Sequence, residues 1–206
     1  MKYQIHLWGP RDRKLLPPHA VKINVTSTST DFGKTFSPFM NQGPIRLYGL
    51  ESHNVENLWQ SCKAYDCHVG KFKEWCQWRD RILSDTKAHR YPMGKGVKPK
   101  FAWMPTLGKL SYIQARKAIY IPAYEQKLQL YCTRELQTLT DMLTVTDVWL
   151  FDFDVRITEQ SFDELVDDAS RPLGHGFVLK NYLENNYGRY CIAAKNTETT
   201  TSNTQV

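Results

Sequence analysis

Glu56, Gln60 and Lys63 stand at i, i+4 and i+7, so on a helix a carboxylate, an amide and an ammonium share one stripe. Turned into a pocket, such a trio suits acid–base work on a polar ligand; turned outward, it is a solvated face with weak pairing. Asp152 and Asp154 alternate at the end of an apolar run, which on a strand sends both carboxylates to one side. They offer a second acidic centre, or they simply end the strand and cap the next turn. The run Arg90-Tyr91-Pro92-Met93-Gly94-Lys95-Gly96 mixes cations, an aromatic ring and glycines within the long stretch Lys87–Pro105, and is expected to be a binding loop.

The elements that must hold these groups follow from period and caps. Ser52 is placed to cap a helix over residues 53–65, whose apolar face is Val55, Leu58, Trp59 and Cys62. Lys71–Leu83 reads as a second helix, with Trp75 and Trp78 as core residues. Ser111 begins a helix through Ile119, and Pro122 suits the first turn of another, a long helix with Tyr124, Leu128, Tyr131 and Leu139 inward that ends near Leu143. Pro172–Glu184 is the last helix, on which His175 reads as a satisfied helix histidine. Lys2–Trp8, Val21–Val25, Ile45–Tyr48 and Val148–Phe153 have the β-branched, alternating or apolar character of strands, the first two opening the domain with a small sheet. The expected fold is a single, mainly helical α+β domain over residues 1–196, followed by a disordered polar tail at 197–206.

Bulk properties exclude several classes. With 41% hydrophobic residues in 206, the chain can bury a core and is far from the disordered class. Its apolar runs are too short to span a bilayer and its first residues lack a signal-peptide core, so a cytoplasmic protein is expected, in the host cytoplasm if the source is a virus. Five cysteines without paired spacing fit a reducing compartment, and Cys62, Cys67-His68 and Cys76 lack the short C-x2-C knuckle, so no metal is assigned. The net charge of +6 is uneven: Arg79–Lys117 holds ten Lys/Arg against two acids, while Asp152–Asp168 holds seven acids against Arg156. The basic stretch, unless it only aids solubility, would face an anionic ligand or a nucleic acid.

The segment Phe32-Gly33-Lys34-Thr35-Phe36-Ser37-Pro38-Phe39, then Ser52–Lys63, then Leu139–Asp154 with Pro172-Leu173-Gly174-His175-Gly176-Phe177, resembles the NADAR family, as a divergent branch in which Asn57 follows the glutamate where that family commonly has His. The resemblance covers residues 31–184. It implies N-glycosidic chemistry on ribosyl or ADP-ribosyl compounds, small or linked to nucleic acid, with no cofactor. Breaking a ribose C1′–N bond builds an oxocarbenium-like sugar, so a fixed carboxylate beside C1′ stabilises it or activates water, and Glu56 takes that role. Asp152 or Asp154 would supply the leaving base with a proton. Lys63, Arg90 and Lys95 suit phosphate groups, Gly94 and Gly96 permit close backbone approach, Trp59 or Tyr91 would stack on a base, and Gln60 completes the pocket. The alternative from another class is a non-catalytic module that binds ADP-ribose, a nucleotide or nucleic acid through residues 79–117; a third is an interaction protein with neither turnover nor nucleotide affinity.

Overall fold

The computed structural model describes residues 3–186, so the polar tail expected at 197–206 and Cys191 lie outside the described residues. Over them the chain is one α+β domain, mainly helical with small sheets. Among the described residues no helix is long and apolar enough to cross a membrane.

Strands β1 (Ile5–Trp8) and β2 (Val21–Asn24) form where expected but do not pair with each other. Between them lies β8 (Val148–Phe151), parallel to both, with Val148 and Leu150 fully buried. The N-terminal sheet is therefore completed by a strand from the other end of the chain. Parallel strands cannot be joined by a tight turn, so the helical body of the chain serves as the crossover. All three strands end on one edge, where Thr26 follows β2 and Asp152 follows β8.

Strands β3 (Ile45–Leu47) and β4 (Leu50–Ser52) form a hairpin that feeds α1 (Val55–Ser61). Ser52 closes β4 rather than capping the helix. Asn54 is the cap instead, its side chain accepting the Asn57 amide at 2.8 Å. All seven residues of α1 are buried. Val55 and Leu58 are fully buried, each stabilising the fold by about 1.5–3 kcal/mol.

Helix α2 (Phe72–Ser84) covers a satellite core in which Trp75 and Trp78 pack with Tyr65 and Ile82. The long loop that follows is partly structured at its end: β6 (Phe101–Met104) pairs with β5 (Lys63–Ala64) and β7 (Gly108–Leu110). Helix α3 (Tyr112–Ala115) passes through a π turn at Arg116–Tyr120 into α4 (Ile121–Tyr131) without a break. Pro122 falls in the first turn of α4, as expected, but α4 continues α3 through the π turn, and the wider turn falls where proline cannot donate to the α ladder. The long helix expected beyond Pro122 is interrupted at Cys132 (φ −122°, ψ 14°), which separates α4 from α5 (Thr133–Met142). Helices α6 (Phe162–Asp167) and α7 (His175–Asn186) are the last elements among the described residues, α7 packing on β1 and α4.

Candidate functional site

The α1 stripe is not solvated: Glu56 and Gln60 are each only 6% exposed. Gln60 Nε2 donates to Glu56 Oε1 at 2.8 Å, and its Oε1 accepts from Lys63 Nζ at 2.9 Å, so among the described residues Glu56 and Lys63 are joined through an amide. Burial raises the Glu56 pKa above 4.5, against the Gln60 hydrogen bond and the charges of Lys63, Arg90 and His175. Burial likewise brings Lys63 down to about 8, with Glu56 opposing it. The Lys63 ammonium lies 4.5 Å from the centre of the Trp59 ring.

The next turn of α1 fastens the 85–91 loop. Asn57 Nδ2 donates to the carbonyls of Asp85 (2.8 Å) and Lys87 (2.9 Å), and its Oδ1 accepts from the His89 amide at 2.8 Å. Gln60 Nε2 also donates to the Arg90 carbonyl at 2.9 Å. These hydrogen bonds together carry Arg90 and Tyr91 to the cavity. Arg90 Nη2 pairs there with Asp154 Oδ2 at 3.0 Å. Beyond Tyr91 the loop turns away: Gly94, Lys95 and Gly96 are exposed and do not line the cavity, so three residues expected at the ligand are not brought to it. Both glycines have positive φ (99° and 89°), so they serve the tight turns of the loop.

Asp152 and Asp154 lie past the end of β8, which stops at Phe151 and not Phe153, and their environments differ. Asp152 Oδ2 meets His175 Nδ1 at 3.1 Å and accepts the Gly176 amide at 3.1 Å. His175 Nε2 is 2.8 Å from the Val25 carbonyl, so both ring nitrogens face acceptors and an imidazolium satisfies both. Burial works against both charges, but their mutual attraction and hydrogen bonds overcome it, lowering the Asp152 pKa below 3.8 and raising that of His175 above 6.5. Asp154 is half-buried, and burial followed by the Asp152 charge raises its pKa above 3.8 against Arg90 and His175. One aspartate is a carboxylate locked between His175 and the Gly176 amide; the other is half-exposed, pairs with Arg90 and has its pKa raised.

These elements enclose a cavity of about 370 Å³ at the carboxyl edge of the β1–β8–β2 sheet, where α/β folds commonly place ligands. Of the expected residues Glu56, Trp59, Gln60, Lys63, Arg90, Tyr91, Asp152 and Asp154 line it. Trp59 is only 9% exposed, 5.5 Å from Tyr120 and 6.2 Å from Tyr112, so it forms an aromatic wall; Tyr91 is 50% exposed, with the Arg90 guanidinium 5.5 Å from the centre of its ring. His175 belongs to the site as well as being a satisfied helix histidine. Tyr112, Arg116 and Tyr120 were not singled out from sequence, because helical period marks them only as core. Arg116 is 1% exposed, with Nη1 donating to the carbonyls of Val166 (3.0 Å) and Asp168 (2.7 Å) and Nη2 to that of Arg171. Thr26, Ser27, Thr28 and Ser37 add a hydroxyl-rich wall, of which only Ser37 falls in a segment marked from sequence.

A model described as a family of unknown function (DUF6939) matches residues 12–179. That match overturns the NADAR resemblance. The motifs that carried it are a buried helix and a Pro-bearing loop hydrogen-bonded to it from Glu56 N to Pro38 O (3.1 Å), features that packing alone can demand. No curated protein and no solved structure matches the chain.

Proposed function

The chain belongs to the DUF6939 family, whose function is unknown, and from the chemistry of its cavity we propose that it is a hydrolase cleaving the N-glycosidic bond of a ribosyl or ADP-ribosyl substrate. The observation that carries this reading is Glu56: a carboxylate buried in a cavity wall, bound on one oxygen by Gln60 and flanked by Lys63 and Arg90. A buried carboxylate among cations suits a ligand that is anionic at its phosphate and becomes cationic at its sugar. Lys63 and Arg90 hold the phosphate, and Trp59 and Tyr91 flank the base.

In the reaction the C1′–N bond breaks and its electron pair goes to the base nitrogen, which takes a proton from Asp154. Water adds its oxygen to C1′ and gives a proton to the Glu56 carboxylate. Solvent then returns the proton from Glu56 to Asp154. Asp152 does not exchange a proton; with His175 it fixes the sheet edge on which Asp154 stands. At about 370 Å³ the cavity is near the small end of ligand pockets, about 300–1,000 Å³, so it takes one nucleotide-sized group, free or turned out of a polymer. Four free cysteines among the described residues suit the reducing cytoplasm as the place of action.

The test incubates the protein with ribosyl and ADP-ribosyl compounds, including ADP-ribosylated DNA, and follows base and sugar by mass spectrometry. Wild type should release base, and Glu56→Gln should lose turnover by about 10²–10⁴-fold while keeping its fold. Saturable binding by both proteins without release would instead make the chain a nucleotide-binding module.

A further inference from the structure

Tyr120 closes the π turn at Arg116–Tyr120, in which the Ile121 amide bonds to the Arg116 carbonyl, one residue farther back than in an α-helix. Such turns recur at functional sites because they re-aim the side chains they carry. The Tyr120 ring is 7% exposed and held between Trp59 (5.5 Å) and Tyr124 (6.4 Å). Its neighbours' phenols are engaged: Tyr124 donates to the Phe36 carbonyl at 2.7 Å, and Tyr112 accepts from Arg116 at 3.1 Å. Tyr120 lines the cavity, yet its hydroxyl has no hydrogen-bond partner among the described residues. The hydroxyl is not sealed away from the cavity, so its donor is open to a ligand acceptor placed there.

We propose that Tyr120 is a catalytic hydrogen-bond donor to the departing base, a role that rests on the glycosidase reading above. Burial and then the charges of Glu56, Asp152 and Asp154 hold its phenol well above 10, so it remains a neutral donor. Glu56 on α1 and Asp154 in the turn after β8 line the same cavity as Tyr120, and in this proposal the scissile bond lies between those two walls. The phenol donates to a heteroatom of the base as negative charge grows there, and Asp154 makes the proton transfer; Tyr120 keeps its own proton throughout.

The experiment compares Tyr120→Phe with wild type on two riboside 5-phosphates, one bearing a purine and one bearing 4-nitrophenolate, which departs without assistance. Loss of the donor should lower kcat on the purine substrate by about a hundredfold with little change in KM, and leave the 4-nitrophenyl substrate nearly unaffected. Equal loss on both substrates, in a variant whose near-UV circular dichroism matches wild type, overturns the proposal, and so does no loss on either. Should Tyr120→Phe fail to fold, 3-fluorotyrosine at position 120 preserves the shape and strengthens the donor; it should raise kcat on the purine substrate alone, and an unchanged rate overturns the assignment. Wild type that turns over neither compound overturns the glycosidase reading, and this role falls with it.

Discussion

Burial favours the acid form of Glu56, and the Gln60 hydrogen bond is the largest force opposing it. Gln60→Met removes that bond at nearly constant volume, so the Glu56 pKa should rise further. Because Glu56 must be ionised to take a proton from water, the acid limb of the kcat/KM profile should move to higher pH. An acid limb that stays in place would uncouple Gln60 from Glu56. The two aspartates, equivalent in sequence, should separate in opposite ways. Asp152→Ala leaves a buried imidazolium and the Gly176 amide unpaired and should cost about 3–5 kcal/mol in denaturant unfolding. Asp154→Ala, at a half-exposed ion pair, should stay within about 1 kcal/mol of wild type yet abolish turnover. The pH dependence follows in sign. Folding lowers the Asp152 pKa from 3.8, so its contribution is present above 3.8 and is lost as pH falls through the folded value; folding raises that of His175 from 6.5, so its contribution is present below 6.5 and is lost as pH rises through the folded value. The stability gap between wild type and Asp152→Ala should therefore be widest between pH 3.8 and 6.5. Spacing brought Glu56 and Gln60 together because α1 carries both, whereas Lys63, expected on the same helix, lies in β5 just beyond its end and reaches the Gln60 amide from there. It could not rank Asp152 against Asp154, since the histidine and amide that distinguish them come from α7.

Elements were legible where a single periodicity governs them, as in α1, α2 and the apolar β8. They were misread where a tertiary contact overrides local preference. Pro122 does lie in the first turn of α4, but the π turn joins that helix to α3, and the long helix expected to run to Leu143 breaks at Cys132. The strand after Val148 stops at Phe151: the Asp152 amide still donates to the Trp8 carbonyl (3.3 Å), but its carboxylate is held by His175 and Gly176 and the chain turns there. Gly174 makes that junction possible. A Cβ built there would stand 2.6 Å from Asp152 Oδ2 and 2.9 Å from the Asp154 carbonyl carbon, so α7 can approach the turn after β8 this closely only without a side chain. Gly174→Ala should force the Asp152 carboxylate or the start of α7 to shift, destabilising the protein by about 1–3 kcal/mol. It should lower turnover as well, because Asp154 stands on the displaced turn. A crystal structure of the variant with an unmoved Asp152–His175 pair and wild-type activity would refute this account of the junction.

At the scale of the whole molecule, the sheet that sets the cavity was beyond sequence, because β1 and β2 each pair with a strand more than a hundred residues away. The charge pattern was legible as a count but not as a surface. Of the ten cations between Arg79 and Lys117, Arg116 is interior and Arg90 faces the cavity, while Arg79, Lys100 and Lys117 pair with Asp80, Asp66 and Asp167 and Lys109 lies 4.8 Å from the centre of the Phe101 ring. Arg81, Lys87, Lys95 and Lys98 are exposed, and none of them lines the cavity. If a nucleic acid is the scaffold of the substrate, these four should carry its backbone, since neutralising phosphates sets affinity through counterion release. Changing all four to Ser should weaken binding of duplex DNA and flatten the dependence of log K on log salt by about 0.9 for each phosphate that is no longer neutralised. The same variant should hydrolyse a small riboside phosphate at the wild-type rate, because Glu56, Asp154, Lys63 and Arg90 are untouched. Fluorescence anisotropy across a salt series, run beside the small-substrate assay, separates the outcomes. A flattened slope with unchanged small-substrate turnover assigns the exposed cations to a polymer. An unchanged slope removes nucleic acid from the proposal and leaves a free nucleotide as the ligand, and a fall in both would mean that these cations steer the phosphate into the cavity from a distance.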